Sequence, residues 1–121
     1  MLRLRPHRLL EAARAEAVTD LARTQHKLTD GYMRGAVAAF DWLLGLVPAA
    51  PITGATEITH ASVVEVERLA EDAVYRRRGA PDVSPGWANG VNHAVLWARG
   101  RTADPPAGYT DELAAAIGLE L

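Results

Sequence analysis

The sequence predicts an all-α chain, and three observations predict it: apolar residues recur at helical spacing over long stretches, capping and terminating residues bracket those stretches, and one aromatic-glycine-alanine-tryptophan pattern occurs twice. Four main helices are expected, at about 7–46, 56–78, 84–99 and 110–117, packed as an orthogonal or bundle-like array in a single domain over residues 1–121. A chain of 121 residues can bury a core without a disulfide or metal staple.

The first helix rests on periodicity. Leu10, Ala17, Leu21, Thr24, Leu28, Tyr32, Gly35, Ala39 and Trp42 recur every three, four or seven residues, and Glu16, Asp20, Arg23, Lys27, Asp30 and Arg34 mark the opposite side. Both stripes pass Gly31 in phase, which favours one continuous helix. Thr29-Asp30-Gly31 resembles an N-cap and is the place where it would break. Unbroken, it would run about 60 Å at about 1.5 Å per residue, against a radius of gyration near about 14 Å for a compact chain of this size. A second subunit would then have to cover its apolar stripe, so a homodimer is expected.

Pro48, Pro51 and Gly54 end that element. Thr56 is the expected N-cap of the second helix, with Glu57 in its first turn and Val63, Val66, Leu69, Ala70, Ala73 and Val74 on its buried face. Arg76, Arg77 and Arg78 fall in its last turn, where cations suit the helix dipole, and Gly79 is the expected left-handed terminator. Ser84-Pro85 opens the third helix, since proline fits the first helical position, and Gly100 ends it. Thr110-Asp111-Glu112 caps a last helix too short to persist alone, so it is expected to dock.

Aligning residues 31–58 with 86–113, an offset of 55, makes seven positions identical: Gly31/Gly86, Gly35/Gly90, Ala39/Ala94, Trp42/Trp97, Gly45/Gly100, Pro51/Pro106 and Glu57/Glu112. Gly35 with Ala39, and Gly90 with Ala94, lie one turn apart and leave a shallow groove for a neighbouring backbone, closed by Trp42 or Trp97. Glycine inside a helix costs up to about 1 kcal/mol relative to alanine, so its repetition points to a packing requirement. Groove-to-groove packing about a pseudo-two-fold axis is the expectation.

Gly90, His93-Ala94, Trp97-Ala98-Arg99-Gly100 and Pro105-Pro106 resemble a pattern in small helical proteins of actinobacteria and their phages, for which no activity is established. The resemblance covers mainly residues 32–45 and 87–106. It implies a high-GC source, consistent with twelve arginines against the single Lys27, and a phage or mobile-element accessory role.

Composition removes much chemistry. The chain has no cysteine, which excludes disulfides, thiolate metal sites and thiol nucleophiles. A net charge of −2 argues against a body-wide nucleic-acid footprint, and no apolar run approaches the roughly 20 residues of a membrane span, so a cytoplasmic location is expected. His7, His26, His60 and His93 share no ligand spacing; Glu57-x-x-His60 matches one arm of a di-iron bundle site and lacks the second. Glu65, Glu67, Glu71 and Asp72 read as a solvated face rather than the magnesium cluster of an all-α hydrolase. Asn89, Asn92 and His93 form the polar patch where a small ligand would be sought first. Arg3, Arg5 and Arg8, with Arg76, Arg77 and Arg78, are the candidate phosphate contacts of a nucleic-acid-binding alternative. No catalytic residue, cofactor or metal site is assigned. The leading expectation is a non-catalytic interaction or regulatory protein.

Overall fold

The computed structural model describes residues 2–23 and 27–108. It contains four helices: α1 (His7–Arg23), α2 (Lys27–Leu43), α3 (His60–Val74) and α4 (Pro85–Ala98), with no strand among the described residues. The helix expected at 110–117, and the end of the repeat that overlaps it, lie outside those residues. Helices α2 and α4 form the central pair; α1 packs on α2 and α3 on α4. Leu10, Ala17, Phe40, Trp42, Val63, Val66, Val91 and Trp97 belong to one buried cluster.

The helix expected over 7–46 is two helices. Helix α2 packs back along α1, and Arg14 of α1 makes an ion pair with Asp41 of α2. Along a straight helix those residues would lie about 40 Å apart. Folding back buries Leu10, Ala13 and Ala17 in the core shared with α2, at the cost of a few helical hydrogen bonds. The break therefore precedes Gly31, which lies inside α2. Of that apolar stripe, Leu10, Ala17, Ala39 and Trp42 are buried within the chain itself.

Three helices end on the same backbone device, a residue in the left-handed region whose neighbours bond back to the last turn. After α2, Gly45 has φ 75°, its amide bonds the Trp42 carbonyl at 2.9 Å, and the Leu46 amide bonds Asp41 at 2.8 Å. After α4, Gly100 has φ 73°, with Gly100 to Trp97 at 2.9 Å and Arg101 to Leu96 at 2.8 Å. In α3 the role falls to Arg76 (φ 51°), with Arg77 to Asp72 at 2.9 Å, so the helix stops at Val74 instead of 78 and Gly79 serves the following turn. The apolar rhythm ends at Val74, and a further turn would bury nothing. Because a side chain is costly at positive φ, Arg76→Gly is expected to stabilise the fold by about 0.5–1 kcal/mol, read as a higher urea midpoint.

The start of α3 also differs from expectation. Thr59, not Thr56, is the N-cap: its hydroxyl accepts from the Ser62 amide at 3.1 Å and its amide donates to the Ser62 hydroxyl at 2.8 Å. This reciprocal box satisfies two backbone groups at once, which a cap at Thr56 would not achieve. Ser84 and Pro85 open α4 as expected, although the Ser84 hydroxyl makes no capping bond.

The α2–α4 crossing is a backbone contact. A Cβ built on Gly35 would overlap the Trp87 carbonyl oxygen and lie 2.9 Å from its carbon and 3.0 Å from the Val91 nitrogen. One built on Gly90 would overlap the Tyr32 carbonyl oxygen and lie 2.8 Å from its carbon and 2.9 Å from the Ala36 nitrogen. Adding 55 to Tyr32, Gly35 and Ala36 gives Trp87, Gly90 and Val91, so the two halves of the contact exchange under the offset of the sequence pattern. Trp42 and Trp97 are both buried, and the Nε1 of each has no partner among the described residues.

Candidate functional site

A cleft of about 310 Å³ opens between α3 and α4. Helical spacing builds both walls: Glu67 and Glu71 lie one turn apart on α3, and Asn89, Asn92 and Leu96 recur at three and four residues on α4. Val74 and Leu96 supply apolar surface, and Tyr75 and Arg101 stand on the segments after each helix. The Asn92 amide donates to the Glu67 carbonyl at 3.1 Å and ties the walls together. Deeper between the helices, Arg99 donates to the Glu67 carboxylate at 2.6 Å, with side chains only 10% and 18% exposed. The Asn89 and Arg101 side chains have no hydrogen-bond or ion-pair partner among the described residues.

Of the expected polar patch, the cleft brings Asn89 and Asn92 together and leaves His93 out. The His93 ring faces α2, where Nδ1 pairs with the Tyr32 hydroxyl, while Nε2 lies 2.8 Å from the Asp104 carbonyl. A carbonyl only accepts, so Nε2 carries the proton and Nδ1 accepts from the phenol. Burial pushes the Tyr32 phenol up to about 12 from 10.0. The folded chain therefore holds this proton where the unfolded chain releases it. Its contribution to stability is complete below pH 10.0 and is lost as pH rises through about 12. Tyr32→Phe is expected to flatten this part of the alkaline decline, measured by urea denaturation across that window.

The arginine clusters are partly engaged within the fold. Arg5 stacks 4.6 Å over the Trp97 ring and donates to the Trp97 carbonyl at 2.6 Å and the Thr102 carbonyl at 3.1 Å, while its amide bonds the Ala98 carbonyl at 2.8 Å. Arg5 is thus a clamp on the end of α4, not a free phosphate contact. Arg77 pairs with Asp72 at 3.0 Å and Glu71 at 3.5 Å and lies over Tyr75. Arg3, Arg8, Arg76 and Arg78 are exposed. Arg76 and Arg77 border a second, larger cleft of about 530 Å³, formed mostly by the 80–85 linker.

The acidic run on α3 is paired with arginine. Arg68 bonds Glu65 at 2.7 Å and Asp72 at 3.3 Å, and its guanidinium holds the Glu65 carboxyl below its ordinary range. Glu57 precedes the α3 cap while His60 begins the helix, so the two do not share a helical turn. Among the described residues no three His, Asp or Glu side chains converge to hold a metal. Sequence reasoning missed Glu67, Glu71, Tyr75 and Arg101 as partners of Asn89 and Asn92. The signal was there in the 67/71 and 89/92/96 spacings, but only packing shows that these two faces meet.

With this geometry, the class defined is an all-α chain with a polar interhelical cleft. No family model, curated protein or solved structure matches it. No helix among the described residues is long and apolar enough to cross a membrane.

Proposed function

We propose that the chain is a non-catalytic interaction protein that acts by binding another protein surface, in the first instance a second copy of itself. The observation that carries this reading is the connection between the two helix pairs, where Leu46 (60%), Val47 (38%) and Ile58 (37%) are left exposed. Leu46 and Val47 are adjacent in the chain and, with Ile58 on the same connection, expose apolar area that gains by being covered. The homodimer thus rests on this apolar connection and no longer on a long helix. The 55-residue offset shared by sequence and crossing supports a further reading, that the two helix pairs are copies of one. Nucleic-acid binding draws less support, because Arg5 directs its donors into the fold and Arg77 is paired with Asp72 and Glu71 at the surface.

Sedimentation across the micromolar range tests the proposal. The expected result is a concentration-dependent dimer that Leu46→Asp with Val47→Asp disperses, the variant melting where the wild-type chain melts at concentrations low enough to keep it monomeric. A wild-type chain that stays monomeric throughout overturns the homodimer. A mobility shift with nucleic acid that weakens steeply with salt would replace this reading with the arginine-based one.

A further inference from the structure

We propose that the cleft between α3 and α4 binds a small zwitterion with an ammonium group, a carboxylate and an aliphatic side chain, in chemical class an α-amino acid. Glu67 is neutralised by Arg99 at 2.6 Å, and that pair is nearly closed to solvent. This leaves Glu71 on the α3 side, 46% exposed and held only by a long 3.5 Å contact to Arg77. On the other side is Arg101, exposed and without a side-chain partner among the described residues.

The lining thus carries one carboxylate on the α3 wall and one guanidinium on the segment after α4 that are not balanced by close partners. A simple cation would meet Arg101 and a simple anion would meet Glu71, so a molecule carrying both charges fits this field best. In the same lining, the Asn89 amide and the Asn92 carbonyl oxygen keep hydrogen-bonding capacity that no described residue uses. Val74 and Leu96 offer apolar surface for an alkyl group. The volume, about 310 Å³, is at the small end of the range of ligand pockets, which suits a single small molecule. The site is separate from the exposed Leu46–Val47 connection and does not depend on the interaction proposal.

The test is a titration of the isotope-labelled full chain, following the side-chain amide signals of Asn89 and Asn92 by NMR. Three probes separate the charges: L-leucine carries both, L-leucinamide only the ammonium, and N-acetyl-L-leucine only the carboxylate. The expected result is saturable shifts with L-leucine and affinities at least about tenfold weaker for the other two. Glu71→Gln should weaken L-leucine by a similar factor while tightening N-acetyl-L-leucine, which no longer meets a like charge; Arg101→Gln should likewise weaken L-leucine and tighten L-leucinamide. Both residues are solvent-exposed, so thermal melts should confirm that the variants fold. No saturable shift with L-leucine, equal affinity for all three probes, or indifference of L-leucine binding to both substitutions overturns the proposal.

Discussion

Gly35→Ala and Gly90→Ala are each expected to destabilise the protein by about 3 kcal/mol or more, enough to leave a large unfolded fraction at modest urea. A single methyl has this effect because its neighbours are backbone. At Gly35 it meets the Trp87 carbonyl and the Val91 nitrogen, and at Gly90 the Tyr32 carbonyl and the Ala36 nitrogen. No rotamer change relieves such an overlap; α2 and α4 must separate along their whole contact. Gly31→Ala and Gly86→Ala are the controls, since their nearest neighbours lie 3.8 Å away. These should be neutral or stabilising by up to about 1 kcal/mol through helix propensity. The double substitution at 35 and 90 should cost less than the sum, because one separation of the helices relieves both overlaps. Additive losses would mean that the two contacts yield independently.

Arg99→Ala is the second large effect, expected at about 2–4 kcal/mol. It leaves the Glu67 carboxylate, 18% exposed, facing α4 without its cation. The cost comes from the stranded charge more than from the lost bond. Accordingly, Glu67→Gln with Arg99→Met should be closer to wild type than either single change, and a double-mutant cycle in urea would measure the difference. A loss below about 0.5 kcal/mol for Arg99→Ala would show that solvent screens the pair.

The helical character, the Ser84-Pro85 start, the Gly100 stop and the importance of Gly35 and Gly90 were legible in the sequence, because each depends on local backbone chemistry or on spacing along one helix. The break between α1 and α2 was not. Periodicity reports which side of a helix is apolar and is silent on whether that side is covered by a second chain or by the same chain folded back. The end of α3 was misplaced for a related reason. Gly79 is the better left-handed residue, but the apolar surface to be buried ends at Val74, and Arg76 takes the strained conformation instead. At the candidate site, Asn89 and Asn92 stood out as unexplained polar residues. Their partners did not, because Glu67 and Glu71 looked like an exposed acidic face until α3 was placed against α4. His93 was grouped with them by proximity in sequence; a step of one residue turns a helix by about 100°, enough to carry it to Tyr32.

The glycine crossing also bears on the order of folding. Each flanking pair, α1 with α2 and α3 with α4, joins neighbours in the chain, whereas Gly35 meets Trp87 and Gly90 meets Tyr32 only after the long intervening segment has closed. Local hairpins form before such distant contacts can reward their loop-closure entropy. If the crossing closes after the folding barrier, Gly35→Ala and Gly90→Ala should accelerate unfolding and leave refolding nearly unchanged, an outcome read from the two arms of a urea chevron; slowed refolding would place the crossing within the barrier itself. On the first outcome, these two glycines set the lifetime of the native state more than the speed of reaching it.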